Sequence, residues 1–362
     1  MSLKNVSLLI GHTEDRVWHI SWSPNGQYLA SCGEDKVVRI WSFDNKINDN
    51  NYDNNENLNM KCIATLEEAQ SRTIRCCEWS PNGRLNNIII HKFFYFIKIN
   101  IYIYIIKIRM LSCASFDGTV IVWESLSINL THWDQCASLE GHDNEVKCVS
   151  WNNDGRLLAT CGRDKKIWIW EKINNEFECI SMLEGHTQDV KFIKFHKSLP
   201  LLFSTSYDDT IKIWQEEDDD EWKCTDTLTG HDSTVWSLAL NNQGNKLISV
   251  SDDKSAKCWI CDSPNSNGKW RCNSTLKGLH SQPIYTVDWS LENSYIVTGG
   301  GDNNITISTL GDNSDGNLLT LQYKLENAHD NDVNCVRWNP HKPSLLASSG
   351  DDGLIKLWYL IE

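Results

Sequence analysis

Short apolar runs separated by polar turns fill this chain from end to end. Leu157-Leu158-Ala159-Thr160 is continuous, as suits a strand covered on both faces, whereas Lys166-Ile167-Trp168-Ile169-Trp170 alternates. Period two places successive side chains on opposite faces of a sheet. Turn formers such as Pro24-Asn25-Gly26 and Asp154-Gly155 precede the continuous runs, and a further apolar run, Cys179-Ile180-Ser181-Met182-Leu183, follows the alternating one. Four short strands with turn signals between them form one unit. The unit repeats. An Asp stands six residues before a Trp in Asp35–Trp41, Asp117–Trp123, Asp164–Trp170, Asp208–Trp214, Asp253–Trp259 and Asp352–Trp358, and Asp302–Ser308 keeps the spacing without the Trp. A His lies 22 or 23 residues before six of these Asp residues, at His12, His142, His186, His231, His280 and His329, while Gln70 takes that place in the remaining copy. Seven copies of a four-stranded unit predict an all-β, seven-bladed propeller. The N-terminal run Leu3–Ile10 is left to complete the last blade, closing the ring and covering an open edge. Residues 1–362 then make one domain.

Composition narrows the function. Forty per cent hydrophobic residues supply a sizeable core, and 17 Trp at repeating places point to architecture. A net charge of −14 argues against a nucleic-acid backbone or an anionic membrane as main ligand, since both would repel it. The first residues show no secretory signal, so the 14 Cys read as reduced thiols.

The repeat resembles the WD40 family, although none of the Trp residues that stand six places after the repeat Asp is followed by Asp. That resemblance implies a hydrogen-bonded tetrad inside each blade, matched in the third by His142, Thr160, Asp164 and Trp170. It also places two residues of each blade on the upper rim of the central channel. One set reads Trp18, Arg75, Lys147, Lys191, Trp236, Tyr285 and Asn334; the other reads Glu34, Phe116, Arg163, Tyr207, Asp252, Gly301 and Asp351. Aromatic residues with Arg and Lys make good interface anchors, and Arg75, Lys147, Lys191 and Arg163 together suit an acidic or carboxylate-bearing partner.

Several stretches go beyond the generic repeat, among them Gly141-His142-Asp143-Asn144-Glu145-Val146-Lys147, Gly162-Arg163-Asp164-Lys165-Lys166, His186-Thr187-Gln188-Asp189-Val190-Lys191 and Ser233-Thr234-Val235-Trp236. Together they resemble the WD40 subunit of the cytosolic iron–sulfur protein assembly machinery. This implies a non-catalytic scaffold that helps deliver [4Fe–4S] clusters to cytosolic and nuclear apoproteins, itself cytoplasmic with access to the nucleus. The partners implied are a DUF59-type assembly protein, a HEAT-repeat adaptor, an iron-only-hydrogenase-like assembly factor and apo iron–sulfur client proteins, without direct nucleic-acid or membrane binding. The family's functional rim Arg maps to Arg163, with Gly162 replacing the preceding Ser. The partner-binding set is therefore Arg163, Trp18, Arg75, Lys147, Lys191, Tyr207, Trp236 and Tyr285. No catalytic, cofactor or metal residues are expected.

Two segments break the pattern. Residues 45–59 are Asn-rich and read as a disordered loop. Residues 86–110 are a 25-residue excess, almost wholly Ile, Phe, Tyr, Lys and Asn, inside the second strand of blade 2. Their A/T-codon character points to a retained intron or gene-model artefact, ahead of a looped-out insertion; a membrane span would have to carry Lys98 at its middle. Other chemistry carries less weight. Ser, His and Asp recur in nearly every blade, as architecture does and a hydrolase triad does not. Cys258-x-x-Cys261 straddles a strand, His196 reads as structural, and Glu216–Glu221 reads as a solvated acidic loop.

Overall fold

The computed structural model of the chain describes residues 1–12, 15–44, 58–81, 88–92, 101–105, 109–127, 129–173, 176–217, 221–264, 268–292, 294–311 and 318–361, with 88–92 and 101–105 as backbone. Residues 45–57 of the Asn-rich stretch and 218–220 of the acidic stretch lie outside this set. Seven antiparallel four-stranded sheets succeed one another among the described residues. Blade 1 comprises Val17–Trp22, Tyr28–Gly33, Val38–Phe43 and Met60–Leu66. Blade 7 comprises Val333–Trp338, Leu345–Gly350 and Leu354–Ile361, completed by Ser2–Ile10 from the other end of the chain. First strands of neighbouring blades pack on one another all the way round, blade 7 on blade 1 included, so the propeller is closed.

Patterning and burial correspond strand by strand. Second strands such as Leu157–Gly162, Leu201–Ser206 and Leu345–Gly350 are buried along their whole length, because a neighbouring blade covers each face. They are accordingly continuous runs of apolar and small residues. Fourth strands lie outermost; Glu176–Leu183 is fully buried only at Leu183. The core sits between blades, where Val149 and Ile169 of blade 3 meet Ile193 and Leu202 of blade 4. The closing strand pairs from Ser2↔Ile361 to Ile10↔Leu354 and buries Leu3 and Leu9.

Each first strand carries a β-bulge against the second, and the residue stepped over is always the same repeat position: Trp18, Arg75, Lys147, Lys191, Trp236, Tyr285 or Asn334. A bulge re-aims the side chain at the point where pairing slips. Here it turns one side chain per blade toward the channel mouth.

The excess segment of blade 2 enters at a different point from the one alignment suggests. Met110 is buried, and its carbonyl accepts from Ser80 N at 2.9 Å, as the Leu157 carbonyl accepts from Asn152 N at 3.0 Å in blade 3. Met110 therefore occupies the place of Leu157, and Arg109–Ser115 is an unbroken second strand. The insertion precedes that strand, in the turn after Ile74–Trp79, rather than interrupting it. Within it Ile88–Lys92 and Ile101–Ile105 pair as a separate two-stranded ribbon.

Candidate partner-binding site

Side chains within each blade set the frame. In blade 3, His142 Nδ1 lies 2.7 Å from the Asp164 carboxylate and Nε2 lies 2.8 Å from Thr160 Oγ1, while Trp170 Nε1 donates to the same hydroxyl at 3.0 Å. Blades 1, 4, 5 and 7 repeat this with Ser31, Ser204, Ser249 and Ser348 as the hydroxyl. The donors run one way, from indole to hydroxyl to imidazole to carboxylate, so a neutral His satisfies every buried group. In blade 6, Thr306 bonds Thr298 Oγ1 at 2.6 Å, and the Oγ of Ser308, which stands in the Trp place, is buried without a hydrogen-bond partner. In blade 2, Gln70 Nε2 donates to Cys113 O at 3.1 Å and Asp117 accepts from Ser71 N at 2.7 Å, so no side-chain chain spans that blade.

Burial lowers His12, His186 and His329 below the ordinary imidazole range despite their Asp partners. Burial alone would raise Asp208, Asp253 and Asp302, but hydrogen bonds from His186, His231 and His280 hold them well below the usual carboxylate range. Both shifts act in one direction. For these groups the unfolded chain binds more protons, so their contribution is complete above the unfolded His value of about 6.5 and declines as pH falls through it, with the Asp contributions lost below about 4. His19, whose burial is outweighed by Cys335 and Cys76 so that it is raised, acts in the opposite sense and is outnumbered. The melting temperature is expected to drop steadily between pH 7 and pH 5; a flat profile over that interval would contradict this.

Above this frame the bulged residues meet. Arg75, Lys147, Lys191, Trp236, Tyr285 and Asn334 line a constriction of about 20 Å³ over His19, Cys76, Cys148, Cys335 and Arg337. The cations are seated on rings: Arg75 lies 5.0 Å from the Trp18 centroid, Lys147 4.0 Å from Phe116, and Lys191 5.0 Å from Tyr207 and 5.2 Å from Trp236. Trp236 meets Tyr285 edge-on at 5.4 Å. Lys147 Nζ also reaches Glu145 at 2.6 Å, and Lys191 Nζ reaches Asp189 at 3.3 Å. Burial lowers both lysines below their ordinary value, with help from neighbouring positive charge. Burial and the carboxylates of Asp332 and Asp252 push Tyr285 up to about 12. Arg163 differs from these seated cations. Its side chain is 56% exposed, and its guanidinium comes only within 3.9 Å of Glu145. The eight residues singled out from the sequence thus share one face, Arg163 joining the others through Glu145. Gly162 suits this arrangement, since a Cβ there would lie 2.4 Å from the Glu145 carbonyl oxygen.

Three participants escape the repeat logic. Arg72 donates to Glu145 at 3.0 Å and to the Phe116 carbonyl at 2.6 Å, Glu145 binds cations from two blades, and Arg16 reaches Asp351 at 3.3 Å. All three lie in loops just ahead of first strands; the only sequence trace is the charge pair Glu145-x-Lys147.

The opposite end of the channel widens to a cavity of about 370 Å³ walled by Trp22, Trp79, Trp289 and Trp338. Charges there lock blades together: Glu78 pairs with Lys194 and accepts from Trp151 N at 3.0 Å, and Asp288 accepts from Trp338 N at 2.7 Å. His196 accepts from Ser198 N and Leu199 N and donates to Gly244 O at 3.1 Å, pinning a turn of blade 4 to blade 5. Gly244 has a φ of 74°, and a Cβ there would strike His196. Cys258 and Cys261 belong to different inter-blade cores. Among the described residues no three His, Cys, Asp or Glu side chains are grouped to hold a metal ion, and no helix is long and apolar enough to cross a membrane.

Comparison with known proteins agrees with this geometry. The family described as "WD domain, G-beta repeat" matches residues 3–42, 60–124, 133–171, 177–215, 222–259, 270–307 and 319–359. Relatives named "Probable cytosolic iron-sulfur protein assembly protein 1" include one from Vanderwaltozyma polyspora, 37% identical over 99% of both chains, and one from Scheffersomyces stipitis, 36% identical over 95% of this chain and 96% of the relative. A Caenorhabditis elegans relative, "Probable cytosolic iron-sulfur protein assembly protein CIAO1 homolog", is 34% identical over 95% of this chain and 94% of its own length. The chain therefore belongs to the WD40-repeat family and, within it, to the cytosolic iron–sulfur protein assembly proteins.

Proposed function

We propose that this chain is a non-catalytic scaffold of the cytosolic iron–sulfur targeting complex. It helps deliver [4Fe–4S] clusters to cytosolic and nuclear apoproteins by gripping other proteins on its upper face. Membership of the assembly family supports the setting. The observation that carries the contact site is Arg163, an exposed guanidinium beside an arc of cations that are already seated on rings or paired with acids. Such a group is available for a bidentate bond to a partner's carboxylate. The recurring Ser, His and Asp carry no catalysis in this reading, because an indole already occupies each hydroxyl in the complete tetrads. The partners proposed are a DUF59-type assembly protein, a HEAT-repeat adaptor, an iron-only-hydrogenase-like assembly factor and apo client proteins.

Affinity capture with quantitative mass spectrometry tests this. The wild-type chain is expected to retrieve iron–sulfur assembly factors. Arg163→Glu should reduce their recovery at least tenfold, with the melting temperature held within about 2 °C. Recovery of cullin adaptors instead would favour a ubiquitin-ligase receptor, and an equal loss of folding in Arg163→Glu would remove the binding role.

A further inference from the structure

We infer that Glu145 is the specificity-setting residue of this face. It holds the cations of blades 2 and 3 in place and subtracts charge so that the face accepts a lone carboxylate and rejects polyanions. This inference rests on the binding role proposed for Arg163.

Glu145 sits where the loop before blade 3 meets blade 2. Its carboxylate takes Arg72 at 3.0 Å and Lys147 at 2.6 Å, and lies 3.9 Å from Arg163. Its carbonyl accepts from Arg163 N at 2.9 Å, so the loop and the rim Arg are fixed to each other. The carboxylate is only 14% exposed, and the cations of Lys147 and Arg72 outweigh burial to hold it below the ordinary carboxylate range. It therefore stays ionised. Without Glu145, Arg72, Lys147 and Arg163 would lose the acid they share and join Arg75 in a positive arc, beside Lys191, which keeps Asp189; such arcs concentrate any polyanion non-specifically. Glu145 engages Arg72 and Lys147 more closely than Arg163, whose guanidinium lies 3.9 Å away and stays 56% exposed. An incoming single carboxylate meets that cation. A chain of phosphates or carboxylates must also approach the Glu145 charge.

A fluorescent hexaglutamate peptide and a heparin column probe this with the full-length protein. Glu145→Gln keeps the shape and removes the charge. It is expected to bind hexaglutamate about fivefold to tenfold more tightly, with a steeper salt dependence, and to elute from heparin at higher salt than wild type. Restoring a carboxylate of different reach with Glu145→Asp should return heparin elution toward wild type. If Glu145→Gln weakens or leaves unchanged both measures while Arg163→Glu still abolishes hexaglutamate binding, Glu145 is a structural support only and the inference falls. If Arg163→Glu also leaves hexaglutamate binding unchanged, the binding role of the whole arc falls with it.

Discussion

Removing residues 1–10 is expected to abolish cooperative folding of the ring. The lost strand buries Leu3 and Leu9, each worth about 1.5–3 kcal/mol on transfer from water, and it satisfies the outer edge of Leu354–Ile361 from end to end. Its loss would bare a strand that contains the buried residues Ile355, Leu357 and Trp358. A domain with a total stability of about 5–15 kcal/mol has little margin for this, and an exposed apolar edge is a template for aggregation. The truncated chain should be recovered in aggregates or show no sharp melting transition. Supplying residues 1–10 as a separate peptide should partly restore the transition. A truncated chain that melts within a few degrees of the intact one would show that closure does not depend on this strand.

The second large effect is at the tetrad. Asp164→Ala leaves the His142 Nδ1 proton buried without its acceptor, and also removes the acceptor for Lys166 N at 3.2 Å. Leaving one member of a buried pair alone costs about 3 kcal/mol, which for a domain of this size lowers the melting temperature by roughly 4 °C. The matching change in blade 2, Asp117→Ala, removes hydrogen bonds from Ser71 and Thr119 but strands no imidazole, so about 1 kcal/mol is expected. Comparing the two by thermal denaturation separates a tetrad effect from the generic cost of losing a turn Asp. Equal losses would show that the His–hydroxyl–Trp chain adds nothing.

Much of this architecture is legible in the sequence because it repeats. The Asp–Trp spacing and the upstream His fix seven units, and the fully covered second strands announce themselves as runs such as Leu157-Leu158-Ala159-Thr160. The rim positions are legible for the same reason, since a bulge at one repeat position turns Trp18, Arg75, Lys147 and their equivalents the same way. Features that join different blades are not. Glu145 binding Arg72, Lys191 seated between Tyr207 and Trp236, and Glu78 spanning to Lys194 depend on which loops the ring brings together, and no spacing encodes them. The point of insertion is not legible either, because apolar residues stand on both sides of it; the unbroken strand Arg109–Ser115 and the Ser80 hydrogen bond to the Met110 carbonyl put it ahead of that strand.

Hydrogen–deuterium exchange on a captured complex is the most direct measurement of the central claim, that partners are gripped on the face carrying Arg163. The expected footprint is protection of the backbone around Arg72–Arg75, Asn144–Lys147, Gly162–Arg163 and Asp189–Lys191, with the turns around Asn25, Lys197 and His341 at the other end of the channel unchanged. Protection confined to those opposite turns, with the Arg163 segment exchanging as in the free protein, would contradict it.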